Sequence, residues 1–182
     1  MFAMASQLPK KWYERTHELV ENHKQRGKGS RMKLLLASIS PRKLKAKSSP
    51  AEALYQDFLT RAARYIPAES QVFDSESTLL ESAERKPNQP AAAVILFDST
   101  GDPLTSPQFA ELIRRLRDTA TQRIVFAIGP ADGWSAAALA RAQHIVSFGR
   151  ITLPHELARA IMAEQVYRAL TILAGHPYHS GH

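Results

Sequence analysis

Two short, unbroken apolar runs constrain what this chain can fold into more than any other feature. Residues 92–97 read Ala-Ala-Val-Ile-Leu-Phe, and residues 123–128 read Arg-Ile-Val-Phe-Ala-Ile. Neither run alternates with polar residues, so a strand made from it has no face to offer to water. Such strands belong in a parallel sheet covered by helices on both sides. Each run ends in a turn of Gly and Asp, Asp98-Ser-Thr-Gly101 and Gly129-Pro-Ala-Asp-Gly133. The segments between them carry helical signals.

The remaining pattern repeats this alternation. Lys33 opens a strand over residues 33–39, followed by a basic loop over residues 40–49 holding Arg42, Lys43, Lys45 and Lys47. Ser49-Pro50, a capping hydroxyl followed by Pro at the first helical position, starts a helix to about Tyr65, with Leu54, Tyr55, Phe58, Leu59 and Ala62 on one face. Pro67 stops it. A strand over residues 71–74 and a helix over 78–85 follow, and Pro87 and Pro90 then break the chain before the first apolar run. Ser106-Pro107 caps a helix to about Thr119, residues 136–143 form another, 144–148 a strand, and 154–174 a long closing helix. Strands alternating with helices predict an α/β fold with a mainly parallel sheet and helices on both faces.

Length and composition narrow the function classes. A chain of 182 residues is enough for one domain with a sizeable core, and it has no cysteine, which excludes disulfides and thiolate metal sites. The longest apolar run, residues 91–97, is too short to cross a bilayer, and Lys10, Lys11, Glu14 and Arg15 stand where a signal peptide needs apolar residues. A soluble, cytoplasmic protein without a membrane partner is expected. The net charge of +7 is unevenly placed: residues 1–47 hold 12 Lys and Arg against 3 Asp and Glu, and residues 48–182 hold 12 against 14. Clustered cations attract a polyanion by releasing its counterions, although a charged tail also serves solubility. Residues 1–31, with a helical candidate at 9–24 and the linker Gly27-Lys-Gly-Ser30, are expected to form a flexible basic extension ahead of a domain spanning 32–182. That extension is either a genuine arm or the product of an overlong gene model.

Ligands in parallel sheets bind beyond the carboxyl ends of the strands. Three such ends carry Gly: Phe97-Asp98-Ser99-Thr100-Gly101, Ile128-Gly129-Pro130-Ala131-Asp132-Gly133, and Ser147-Phe148-Gly149-Arg150-Ile151-Thr152-Leu153-Pro154. Three histidines, His155, His176 and His179, have a side chain whose ordinary pKa suits proton transfer near neutral pH. Tyr178 offers a stacking face or a hydrogen bond, and Arg150, Arg159 and Arg168 offer positive charge. Glu164 and Arg168 have the i, i+4 spacing of an ordinary helical ion pair. His176, His179 and His182 lack a companion carboxylate, so no metal site is expected.

The string Ile151-Thr-Leu-Pro-His155-Glu-Leu-Ala-Arg159, then Glu164-Gln-Val-Tyr-Arg168-Ala, then His176-Pro-Tyr-His179, resembles the C-terminal half of SPOUT-class RNA methyltransferases. Within that class the resemblance is to the ribosomal RNA large subunit methyltransferase H family, and it covers residues 32–179. It implies a SPOUT α/β-knot fold whose C-terminal segment is threaded into a trefoil, and a homodimer in which a second subunit completes the site. It also implies transfer of a methyl group from S-adenosylmethionine to N3 of a pseudouridine in 23S rRNA. By the same resemblance Phe97, Asp98, Gly101, Ile128, Gly129, Gly133, Phe148, Gly149, Ile151, Thr152 and Leu153 hold the cofactor. His155, His176, Tyr178, His179 and Arg150 are the catalytic candidates. The chain departs from the family at Pro130, where a second Gly is usual, and at Ser180, where a Lys or Arg is usual. These departures leave two alternatives open: methylation of a different rRNA uridine, or a ribosome-binding or assembly protein without catalysis.

Overall fold

In the computed structural model, residues 32–40 and 49–179 are described. The helix expected at 9–24, the basic residues Arg42, Lys43, Lys45 and Lys47, and Ser180 lie outside them. Five strands and five helices follow one another as β1 (Lys33–Ile39), α1 (Pro50–Ala62), β2 (Ala68–Phe73), α2 (Glu76–Ala83), β3 (Ala93–Asp102), α3 (Ser106–Asp118), β4 (Arg123–Ile128), α4 (Ala136–Arg141), β5 (His144–Val146) and α5 (His155–Leu173). A single 3-10 turn, Pro177–His179, comes last.

All the strand pairings are parallel, in the order β2-β1-β4-β3-β5. Side chains alternate across a strand, so β4 sends Ile124, Phe126 and Ile128 to one face and Val125 and Ala127 to the other. The first three pack with residues of α1, α3 and α5. Val125 and Ala127 pack with Leu79, Leu80 and Ala83 of α2 and with Ala138 of α4. All five are at most 6% exposed. The unbroken apolar run therefore has the cause inferred from sequence, a strand with no wet face. Connections β1-α1-β2 and β3-α3-β4 cross one face in one direction, and β2-α2-β3 and β4-α4-β5 cross the other face in the opposite direction, so all four share one hand.

Element boundaries shift where capping and pairing override local pattern. Helix α3 is capped by Thr105, one residue before the expected Ser106, because Thr105 and Gln108 form a reciprocal capping box. Ser75 caps α2, accepting from the Thr78 amide, so that helix starts two residues early, at Glu76. Helix α1 begins at the expected Ser49 cap but ends at Ala62 instead of about Tyr65. Strand β2 starts at Ala68, three residues earlier than expected, because it pairs with β1 from Leu34 onward. It is an edge strand with Val72 51% exposed, so it carries no apolar alternation to read.

Phe126 sits at the centre of β4, fully buried, with the Phe109 ring 5.7 Å away at 63°. Phe126→Ala should destabilise the fold by about 3–5 kcal/mol, because the space left cannot close inside a sheet covered on both faces. Urea unfolding of the variant against wild type checks this.

Candidate active site

Strands β4, β3 and β5 are neighbours in the sheet, so the segments leaving their carboxyl ends emerge side by side on one edge. The segment after Phe97 does not end its strand, as expected from sequence. Phe97 and Asp102 both register with Val146 of β5, so residues 98–101 form a bulge within β3. Asp98 shapes that bulge by accepting from the Thr100 amide at 2.9 Å and the Thr100 hydroxyl at 2.6 Å. A side chain at Gly101 would meet the Ile145 carbonyl carbon at 2.6 Å. Glycine is needed there so that the returning strand can lie against β5.

The four glycines of these segments do different work. At Gly129 a Cβ would lie 2.9 Å from the indole of Trp134, so this glycine makes room for a ring. Gly133 and Gly149 have φ of 84° and 103°, and nothing lies within 4 Å of where a Cβ would stand. Their backbone conformation requires glycine, and the space beside them is open. A turn from Pro130 O to the Gly133 amide, 3.0 Å, closes the second loop.

Strand β5 stops at Val146, two residues before the expected Phe148, because Ser147 turns the chain. The buried Ser147 hydroxyl accepts from the Gly149 amide at 3.0 Å and donates to the Gly149 carbonyl at 2.9 Å, while its amide donates to Asp102 O at 2.9 Å. This hook sets the Phe148 ring on that of Phe97, centroids 4.7 Å apart and 19° from parallel. Phe97 itself is 6% exposed, enclosed by Phe109 and Phe148. Beyond the hook Arg150, Ile151 and Thr152 are exposed, and Leu153 is partly buried against the core.

His155 is the first residue of α5, and the helix has Pro154 at its N-cap with no side-chain capping bond. The imidazole does not cap the helix. It is half-buried with the Gly129 backbone beside it, so the start of α5 meets the second loop. Burial, and then the Arg159 guanidinium, push its pKa below the usual 6.5, which the Gly129 carbonyl and Glu156 only partly offset. The ring is therefore neutral at neutral pH, and a neutral imidazole has one donor and one acceptor nitrogen.

Two of the three candidate cations are already engaged. Arg159 donates to Glu52 at 2.7 Å and lies over the Tyr55 ring at 4.3 Å, tying α5 to α1. The Ser49 hydroxyl donates to Glu156 at 2.6 Å in the same seam. Arg168 pairs with Glu164 at 2.7 Å, as the spacing predicted, but this pair does more than solvate a surface. Arg168 lies over the Tyr178 ring at 5.0 Å, the Tyr178 hydroxyl donates to Glu164 at 3.3 Å, and Tyr167 meets Tyr178 edge-on at 4.9 Å. Burial, and then Glu164, raise the Tyr178 pKa, so it remains a phenol. Arg150 stands exposed in the third loop.

The expected site residues thus fall into two groups. Phe97, Asp98, Gly101, Ile128, Gly129, Gly133, Phe148, Gly149, Arg150, Ile151, Thr152, Leu153 and His155 lie at or beside the carboxyl edge of β3, β4 and β5. His176, Tyr178 and His179 follow the far end of α5. Tyr178 is anchored at Glu164, which is nine residues or about 13 Å along the helix from His155. One chain does not bring the two groups together. The exposed His176 accepts from the Tyr178 amide at 3.2 Å and, with Asp57, Arg61, Arg64, Tyr65 and Tyr167, lines a cleft of ≈ 330 Å³. Among the described residues no group of three or more His, Cys, Asp or Glu is placed to hold a metal ion, and no helix is long and apolar enough to cross a membrane. Sequence reasoning passed over Trp134, whose indole donates to Phe97 O at 3.0 Å. Nothing in the sequence marked it, because its partner carbonyl lies 37 residues earlier.

The family described as predicted SPOUT methyltransferase matches residues 32–179. Among curated proteins, the chain is 42% identical over 138 residues to the ribosomal RNA large subunit methyltransferase H of Koribacter versatilis, covering 76% of this chain and 94% of that one. Against the proteins of the same name from Agrobacterium fabrum and Methylocella silvestris the identities are 37% and 39%, covering 73% and 81% of this chain and 92% and 99% of theirs. With a parallel α/β sheet, three loops gathered at one edge and matches of this extent, the chain belongs to the SPOUT methyltransferase family, alongside the ribosomal RNA large subunit methyltransferase H proteins.

Proposed function

We propose that this protein is an S-adenosylmethionine-dependent methyltransferase that acts in the cytoplasm as a homodimer and modifies N3 of a pseudouridine in 23S rRNA of the large ribosomal subunit. The observation that carries this reading is the convergence of three Gly-containing loops and a neutral, half-buried His155 on one edge of a parallel sheet. The names of the relatives supply the substrate class. Residues 32–182 form the catalytic domain, with residues 1–31 as a basic extension and the C-terminal segment threaded as in the family.

The residues present fit the cofactor. Gly133 and Gly149 hold positive φ beside open space that a Cβ would fill, so their loops leave room for a ligand to approach the backbone. S-adenosylmethionine supplies an electrophilic methyl on a sulfonium. The chain's own task is to present the base and to take its proton. An imide nitrogen still carries a proton at neutral pH, so either a base removes it or hydrogen bonds and positive charge stabilise the anion. His155, neutral and with one ring nitrogen free to accept, has the electronic state a base requires. Arg150, exposed in the adjacent loop, supplies positive charge, and Tyr178 and His179 contribute stacking and hydrogen bonds to the base.

The separation of the two groups along α5 supports a composite site in which the tail of one protomer serves the loops of its partner. This places the tail on the side of the target base and leaves cofactor binding to the loops.

Gly133→Val and Gly149→Val should each weaken cofactor binding by at least about tenfold, since a branched side chain there is both strained and in the way. Gly129→Val should dislodge Trp134 and so lower stability as well as binding. Calorimetric titration with S-adenosylmethionine beside urea unfolding separates the two effects, and unchanged binding in the Gly133 and Gly149 variants would remove the pocket from these loops. Deleting residues 176–182 should leave cofactor binding within a few fold and abolish methyl transfer. Co-expressing that truncated chain with Gly149→Val should restore measurable transfer, because a mixed dimer keeps one site with sound loops and a sound tail. No recovery in a verified mixed dimer would place loops and tail of each site on the same chain.

A further inference from the structure

Trp134 connects two of the three loops, and nothing in the site described above uses it. Its side chain is 8% exposed and lies over Gly129, so close that a Cβ on that glycine would meet the ring at 2.9 Å. From the same ring, Nε1 donates to the Phe97 carbonyl across 3.0 Å in a buried hydrogen bond. Phe97 is the last residue of β3 before the bulge and Gly129 the first after β4, so one indole bridges the two loop origins just where the β3–β4 ladder ends at Phe97 and Ile128. The bond also occupies one side of the Phe97 carbonyl, while the Phe97 ring supports Phe148 of the third loop. Trp134 therefore touches the first two loops directly and reaches the third through one stacked pair.

The loop that carries Trp134 is itself pinned on both sides. Before it, the Pro130–Gly133 turn closes at 3.0 Å. After it, the Ser135 amide donates to Glu76 Oε1 of α2 at 2.9 Å, and the Ser135 hydroxyl donates to the other oxygen of the same carboxylate. An indole anchored in this way holds its ring plane and its N–H at fixed positions. The ring is only 8% exposed, so its function is exerted through Phe97 and Gly129.

We infer that Trp134 is a positioning residue for the cofactor: its ring and N–H set the separation of the β3 and β4 loops between which S-adenosylmethionine lies. The inference rests on the reading that these loops hold the cofactor. Trp134→Phe retains an aromatic plate over Gly129 and removes the hydrogen bond to Phe97.

The test uses the full chain. Wild type and Trp134→Phe are compared for the KM and kcat of S-adenosylmethionine in methyl transfer, for its Kd by calorimetry, and for their urea midpoints. The expected result is a rise of about tenfold in both KM and Kd, the size of one buried hydrogen bond, with kcat within about twofold of wild type. A second measurement does not depend on how well that variant folds. The chain has two tryptophans, so Trp12→Phe leaves Trp134 as its only indole. Its emission should shift on titration with S-adenosylmethionine, with the calorimetric midpoint. Equal KM and Kd in a folded Trp134→Phe protein overturn the inference, as does constant Trp134 emission while calorimetry records binding. Absence of cofactor binding by the wild-type protein overturns the cofactor reading itself and this inference with it, a result distinguishable from the other two.

Discussion

Strand β4 has no wet face, and the rest of the structure follows from covering both of its sides. Ile124, Phe126 and Ile128 must meet helices on one side, and Val125 and Ala127 on the other. With helices on both faces the strands run parallel, and each connection must cross from one end of the sheet to the other. Their common hand then brings the carboxyl ends of β4, β3 and β5 together, in that spatial order, along one edge. Three loops far apart in the chain thereby become neighbours without any contact that specifies them individually. The site is a consequence of burial first, and of loop chemistry second.

Loop chemistry then divides the glycines by function. Gly101 permits two strands to touch and Gly129 admits an indole, so both serve packing, while Gly133 and Gly149 adopt a left-handed backbone beside open space. A reading that gives all four the same ligand-facing role misses this division. The departure at Pro130 also has a structural place: its carbonyl closes the turn on Gly133, and the ring's missing donor is not needed for that bond. His155 brings the start of α5 beside Gly129, and burial with the Arg159 charge keeps the ring neutral against the opposing pull of that backbone, the protonation state that a base requires.

Legibility in the sequence followed the physics of each element. The runs at 92–97 and 123–128 could be read because a strand buried on both faces permits no polar residue, and α1 could be read from Ser49-Pro50 and its apolar face. Strand β2 was misplaced because an edge strand exposes most of its side chains and is defined by its pairing with β1. The bulge at 98–101 was invisible for a related reason, since only the return of Asp102 to Val146 makes it part of β3. At the site, the C-terminal motif pointed to the family and to the loop residues. The distance between His155 and Tyr178 was not legible, because it depends on the tail folding back onto Glu164, Tyr167 and Arg168. Trp134 was overlooked because an aromatic after a glycine turn signals nothing until its partner, a carbonyl 37 residues earlier, is known.

The reading of the loops and the tail as one methylating site stands or falls on the nucleotide that is modified. The central claim is therefore about the product. Mass spectrometry of 23S rRNA from cells lacking this protein, before and after treatment of their ribosomes with the purified protein and S-adenosylmethionine, tests it most directly. The account predicts a single pseudouridine that lacks its N3-methyl group in the deletion and regains it on treatment. An unchanged modification pattern in the deletion, or a methyl group appearing on a different nucleotide, would contradict it.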